Sequence, residues 1–359
     1  MLTPEPRVVL DHGDLSDWQS TSQSRSTAHA SRPWRGLAAW AAGVILLCGV
    51  IVVVLRIGDI ERFLDLARRA RPLWLMAGLV LQALTYVCAA GVWKVVLARA
   101  GMPRPLGTLV PLGVAKLFTD QAIPSSGISG SILVVQSLLR RGVPSSVCAG
   151  TLLVGLISFY IAYALAVAAS LVILAEHRAI DSAIVAIAAA FSLIAVGVPA
   201  GALWLRHWMT GRLRRGIEQI PGIALLMRAV ADAPGQLLRD PVLLSKTAAL
   251  QFLIFVLDAT TLYVMLLAVG SPVPPGAVFA SFVIADAAAT VGPIPLGLGA
   301  FEGACTAILN LLSVPVETAL TATLLLRGFT FWLPMLPGLW IARRELRQPA
   351  SDLPQDPRT

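Results

Sequence analysis

The sequence predicts an all-α polytopic membrane protein built from two inverted repeats, each holding a Pro/Gly-broken helix pair. Three observations predict it. Hydrophobic residues make up 57% of the 359-residue chain and charged residues only 13%, with a mean hydropathy of +0.77. A soluble domain carries about 25% charged residues to meet water, so most of this surface faces lipid. Apolar runs recur along the chain at membrane-spanning length. Two further runs are interrupted near their middles by proline and glycine, and the interruptions resemble each other.

The elements follow in order. Residues 1–35 are polar and Ser-rich at the start, with no apolar core or small-residue cleavage site, and read as a disordered cytoplasmic tail rather than a signal peptide. A helix crossing a hydrocarbon core of roughly 30 Å needs about twenty apolar residues. Six runs qualify: 36–56, 72–98, 146–175, 180–204, 243–269 and 317–341. The interrupted runs, 106–141 and 276–313, are each either two full helices or a pair of half-helices that enters and returns by one face. Together these make a transmembrane domain over 36–345, with about six full spans plus two broken pairs. Repeat one covers about 72–175 and repeat two about 243–341; residues 346–359 form a cytoplasmic C-terminal tail.

Basic residues set the orientation, because cytoplasmic loops carry an excess of Lys and Arg. Arg206, Arg212, Arg214, Arg215, Arg228 and Arg239 crowd the 205–241 loop, and Arg343, Arg344 and Arg347 follow the last span. The turn around Ser271–Pro275 has no charge. Both termini are therefore expected in the cytoplasm. Arg62, Arg68, Arg69 and Arg71 lie on the opposite side by this scheme, where 60–70 reads as a surface-lying amphipathic helix. The net charge of +8 belongs to these loops and to anionic headgroups, not to a nucleic-acid footprint.

The broken runs read AIPSSGISGSILVVQSLLRRGVPSS and PIPLGLGAFEGACTAILNLLSVPVE. Both have Ile-Pro, a nearby glycine, an apolar stretch and Val-Pro. Pro124 to Pro144 and Pro295 to Pro315 are each twenty residues apart. With the basic loops inside, 72–98 runs inward and its counterpart 243–269 runs outward, so the units are upside-down relative to one another. Inverted repeats with broken helices near the midplane are the architecture of secondary transporters. Unpaired backbone at membrane depth is tolerated only against protein or a water-filled cavity, which puts a polar pathway at Pro124–Gly130 and Pro293–Gly299. Two ordinary hairpins with surface turns are the alternative.

Ionisable groups inside the spans are the candidate site. Glu302 follows the second break and Arg327 sits within 317–341. They either pair as a structural bridge, or Arg327 holds a lipid phosphate while Glu302 meets an amine. Lys116 and Asp120 are four apart and share a helix face. Asp286 and Asp258 have no obvious local partner; a proton-carrying role and a hydrogen bond to Ser or Thr both account for them. With Pro295, Gly297, Gly299, Pro124, Gly127 and Gly130 at the breaks, Glu302, Arg327, Asp120 and Asp286 make up the expected substrate-binding set. Cys48, Cys88, Cys148 and Cys305 and the four histidines are scattered, so no metal or other cofactor is expected. No GxxxxGK[ST] motif points to ATP, and no catalytic constellation points to an enzyme.

The stretch PIPLGLGAFEGA followed by LLLRGFTFWLPMLPG resembles the lysylphosphatidylglycerol synthase transmembrane region, or flippase-like domain family. The matching residues are Pro295, Gly297, Gly299, Glu302, Arg327, Trp332, Pro334 and Gly338. In the first half GVWKVVLARAG and QAIPSSGISGSILVVQSLLRRGVP resemble the family's corresponding motifs, and the resemblance runs from about Trp93 to Arg344. It departs at Ser131 and Val134, where many members carry Asp and Arg, and at Val154-Gly155, where Glu-Arg is frequent. The resemblance implies a bacterial inner-membrane protein that translocates a phospholipid or lipid-linked headgroup, here without a lipid-synthesising domain. A small-solute or ion-coupled transporter is the alternative, as is a membrane subunit serving a separately encoded lipid-modifying enzyme. Membrane lipids, such an enzyme or further copies of the chain are the expected partners, and nucleic acid is not.

Overall fold

The computed structural model describes residues 71–122, 127–176, 181–208, 234–292 and 297–347. These are helical, with no strand among them. They lie within one unit, Arg62–Thr359. The expected tail 1–35, the span 36–56, the surface helix 60–70 and the tail 346–359 (apart from its first residues) fall outside the described residues, as do Pro124 and Pro295.

Helix α1 (Pro72–Arg99) starts on a proline, whose missing N–H costs nothing in a first turn. It stops at Gly101, which takes φ 76°, a left-handed geometry that glycine adopts without steric penalty. Then come α2 (Leu106–Ala122), α3 (Ile128–Arg140) and α4 (Ser145–Glu176). A connecting helix, α5 (Ser182–Trp208), and a single turn, α6 (Gly235–Leu238), lead to the second series. That series is α7 (Pro241–Ala268), α8 (Pro275–Val291), α9 (Ala300–Leu311) and α10 (Val316–Arg327). A π-helical turn (Gly328–Trp332) continues α10 into α11 (Leu333–Arg347). Pro334 and Pro337 cannot donate to the carbonyls one turn back, and a π turn is a usual way for a helix to absorb such a break.

The two series match element by element. Helices α1 and α7 are both 28 residues long, α2 and α8 both 17, and α3 and α9 are 13 and 12. Left-handed residues fall at the same joints: Gly101 and Gly270 after the first helix, Gly127 and Gly299 before the third, Gly142 and Ser313 after it. The first joint also repeats in composition, Gly101-Met-Pro-Arg-Pro against Gly270-Ser-Pro-Val-Pro.

Among the described residues five helices are long and apolar enough to cross a membrane: Pro72–Arg99, Ser145–Glu176, Ser182–Gly201, Pro241–Ala268 and Val316–Glu345. They coincide, within a few residues, with five of the six expected spans. The interrupted runs resolve into pairs of shorter helices. At about 1.5 Å per residue the longer member of each pair measures about 26 Å, under the roughly 30 Å of a bilayer core. They are not pairs of full spans.

Helices α1 and α7 pack along their whole lengths, and their contacts run in opposite order. Gly78 faces Met265 and Thr261, Gly91 faces Leu250, and Arg99 meets Asp240 just before α7 at 2.7 Å. The two equivalent helices are therefore antiparallel. Around them the units exchange partners: α2 packs on α11 of the second series, and α8 packs on α4 of the first. The α2–α11 approach depends on Gly338, where a Cβ would fall 2.5 Å from the Phe118 Cβ and 3.1 Å from the Val114 carbonyl oxygen. The largest core cluster lies between α4, α5, α7 and α8, with Tyr163 wedged between Phe191 and Phe255 at ring distances of 4.1 and 4.7 Å. Leu73, Leu193, Val196 and Trp340 point outward, as residues solvated by lipid do.

Candidate functional site

Each break ends on a glycine that opens a short helix, and the first N–H groups of such a helix have no partner within it. In the first unit Asp120, in the last turn of α2, supplies the missing acceptor. The Gly130 N–H donates to its Oδ1 at 2.7 Å, and the Ser129 hydroxyl reaches the same oxygen at 3.4 Å. The other oxygen, Oδ2, takes Lys116 Nζ at 2.6 Å, the pairing expected from their four-residue spacing. Gly130 has no freedom to be larger, since a Cβ there would lie 2.6 Å from the Asp120 carboxylate. A carboxylate at a helix N-terminus is also favoured by the helix dipole.

The second unit reaches the same end by another route. Gly297 and Gly299 take φ 61° and 85°, and α9 begins at Ala300. Its acceptor comes from its own first turn: Glu302 Oε2 accepts the Gly299 N–H at 2.7 Å. Glu302 Oε1 stands 3.2 Å from Arg327 Nε. That contact is an ion pair rather than an aligned hydrogen bond, since the same Nε has no hydrogen-bond partner. The Arg327 guanidinium also donates to the Gly297 carbonyl at 3.4 Å and stacks 4.3 Å from the Phe301 ring centre. The proposed choice between a structural bridge and a phosphate-plus-amine site is thereby narrowed: Glu302 holds both the helix end and Arg327. A lone ionised group at membrane depth costs about 2.5–3.5 kcal/mol on insertion scales, and both cations avoid it through their carboxylates.

Between the units lies a cavity of about 690 Å³. Gly127, Ser131 and Lys116 reach it from the first break, and Arg327, Thr330 and Phe331 from the second unit. Helix α1 contributes Gln82, Thr85, Tyr86 and Trp93, α7 contributes Gln251 and Asp258, and α4 contributes Thr151, Gly155, Phe159 and Tyr160. Of the expected site residues, Gly127 and Arg327 line this space. Asp120, Gly130, Glu302, Gly297 and Gly299 stand behind them, holding the breaks together. Asp286 lies apart, beside Tyr163. Gln82, Thr85, Tyr86, Tyr160 and Gln251 were not expected; their signal is a polar group inside an apolar span, weaker than that of a formal charge. Among the described residues no group of three or more His, Cys, Asp or Glu could hold a metal ion.

Antiparallel equivalent helices, paired broken segments and a cavity between them that carries polar groups on largely apolar walls define a polytopic helical membrane protein with internal repetition. The chain belongs to the family described as the lysylphosphatidylglycerol synthase TM region, whose model matches residues 40–338. No match was found among curated proteins. Two departures from the family pattern now have a place. Ser131 and Gly155, standing where many members carry Asp and Arg, both line the cavity, while Val134 and Val154 are buried in the core.

Proposed function

We propose that this chain translocates a phospholipid or lipid-linked headgroup across the membrane, through the cavity between two units of opposite orientation. The observation that carries the reading is the cavity's composition. Two cations, Lys116 and Arg327, come to it from the two units, each steadied by a carboxylate at a helix break. A phosphate oxygen offered to Arg327 finds a delocalised, planar donor set suited to it, and the roughly 690 Å³ volume accommodates a headgroup. The aromatic and apolar walls leave room for the glycerol and first chain carbons.

Inversion supports alternation between two sides. If α1 and α7 both span the bilayer, their antiparallel packing makes the units upside-down copies, and the short pairs α2–α3 and α8–α9 enter from opposite faces. The excess of basic residues in the loops supports cytoplasmic termini, and the family resemblance supports a bacterial inner membrane. No step in this reading is enzymatic, and ATP has no binding motif to act through. A separately encoded lipid-modifying enzyme, or a second copy of the chain, fits as a partner at the membrane face.

The test is the purified full chain in liposomes containing headgroup-labelled phospholipids, with label in the inner leaflet protected from an added quencher. Translocation exposes it at a rate well above that of empty vesicles. If no headgroup class crosses faster than in empty vesicles, the translocator reading is wrong; uptake of a water-soluble solute instead would favour the small-solute transporter.

A further inference from the structure

The charges at the cavity fall into two neutral pairs, Lys116 with Asp120 and Arg327 with Glu302, and Asp258 is left over. It lies within the middle third of α7 and lines the cavity. Among the described residues it has no cation within ion-pair distance. Its partners are neutral. The Gln82 amide donates to its Oδ1 at 2.9 Å and also to Thr261 Oγ1 at 3.1 Å; Thr85 stands close by, its hydroxyl donating to the Leu81 carbonyl at 3.1 Å.

Every packed neighbour presents a group toward this region: Tyr86 from α1, Tyr160 and Tyr163 from α4, Asp286 from α8, Arg327 from the end of α10, and Lys116 across the cavity from α2. Asp286 is within electrostatic reach of Asp258. It does not line the cavity. Tyr163 stands beside it, with its hydroxyl 3.5 Å from Thr290 Oγ1. Thr290 is exposed at the end of α8, beside the second break. Asp258 at the cavity, Asp286 within α8 and the Tyr163 and Thr290 hydroxyls thus lie in sequence toward the exposed end of α8.

The repeat makes this row singular. Gln82 and Gln251 occupy the same place, eleventh, in α1 and α7, and both line the cavity. The eighteenth place holds Asp258 in α7 but Ala89 in α1, again both at the cavity. The equivalent helices α1 and α7 therefore carry one mid-helix carboxylate between them, on α7.

We propose that Asp258 is a proton-binding site that couples movement through the cavity to a proton gradient, with Asp286 as its second station. A hydronium in the cavity gives its proton to an Asp258 oxygen and leaves as water. The carboxyl passes the proton to the Asp286 carboxylate, which returns it to water at the Thr290 end. One proton enters and one leaves, and no other reactant is needed. A hard metal cation suits the place less well, since it requires six or more oxygen ligands and the Gln82 group turned to Asp258 is an N–H donor. The coupling to headgroup movement rests on the translocator reading; the proton movement itself does not.

The experiment uses the full chain in proteoliposomes with a lumenal pH dye, an imposed pH gradient, the membrane potential clamped with potassium and valinomycin, and headgroup-labelled lipid in the same vesicles. Wild type is expected to dissipate the gradient at least several-fold faster than Asp258→Asn. Asp258→Glu should retain part of the flux and Asp286→Asn should lose most of it. The gradient should accelerate headgroup movement in wild type and leave it unchanged in Asp258→Asn. Proton flux in wild type no faster than in empty vesicles overturns the proposal, as does flux in Asp258→Asn equal to wild type. If Asp258→Asn does not fold, as read by its thermal unfolding, the wild-type and Asp258→Glu arms decide. Proton flux without headgroup movement supports the Asp258 assignment and sinks the translocator reading; headgroup movement without proton flux does the reverse.

Discussion

At the scale of single residues, Arg327 carries the most. It neutralises Glu302, reaches the Gly297 carbonyl, stacks on Phe301 and still borders the cavity. Removing it takes the cation away from Glu302, a carboxylate at 5% exposure, and breaking a buried pair from one side costs about 3–5 kcal/mol. Arg327→Ala is therefore expected to lower the thermal midpoint in detergent as well as translocation. Arg327→Lys separates the two roles. A lysine restores the charge but not the planar fork, so stability should largely return while translocation stays at least tenfold down. Equal recovery of both would show that only the charge matters.

Sequence spacing alone was enough to pair Lys116 with Asp120, because four residues on a helix bring side chains together whatever the rest of the chain does. It was not enough for Asp258 and Asp286. Their partners, Gln82 and Tyr163, are distant in sequence and meet them only through helix packing.

At the scale of elements, the joints between helices decide the fold. Gly338 lets α11 lie against α2, and a Cβ there would meet Phe118 at 2.5 Å. Overpacking of this kind costs typically about 1–3 kcal/mol. Gly338→Leu should sit at or above that range and unlock α11 from α2, read as a lower melting temperature and faster proteolysis of the C-terminal helix. Gly101→Leu, where nothing lies within 4 Å, should suffer only the strain of its positive φ.

A second joint clasps the end of α1 to the start of α7. Asp240 accepts the N–H groups of Leu243 and Val242 and the Arg99 guanidinium at 2.7 Å. These bonds, that of Leu243 foremost, hold its carboxyl below the usual carboxylate range. A carboxyl lowered on folding adds stability above its unfolded-state value, and that addition is lost as pH falls through the folded-state value. The thermal midpoint of wild type should therefore exceed that of Asp240→Ala at neutral pH, and the gap should close as the pH is taken below the carboxylate range. A gap unchanged with pH would mean that the clasp does not depend on ionised Asp240.

At the scale of the whole molecule, Pro103 and Pro272 occupy equivalent exposed turns of the two units. Their opposite sidedness is the prediction that tests the inverted architecture. In a background lacking the native cysteines, Pro103→Cys should react with a membrane-impermeant maleimide from one side only, and Pro272→Cys from the other only. Labelling of both from one side would remove the inversion and, with it, alternating access.

Much of this architecture was legible beforehand, because lipid as solvent demands long apolar runs and polar breaks that stand out in any single sequence. Five spans, two interrupted runs and their matching Pro and Gly spacing came from that demand alone. The repeated Gly-x-Pro-x-Pro joint is a sequence feature of the same kind. Which polar groups share a space was not legible. A cavity between units is made by the antiparallel packing of α1 and α7 and by the exchange of α2 and α8 between them, and no local pattern specifies those meetings. By itself the sequence determined a membrane-spanning helical chain of two like halves, since hydropathy and helix breaking are local properties. Only the tertiary structure decided that Glu302 serves its own helix end and that Ser131 and Gly155 face the cavity. It also decided that Asp258, without a cation partner among the described residues, lines the cavity and is held by Gln82, because burial and pairing depend on which distant helices come together.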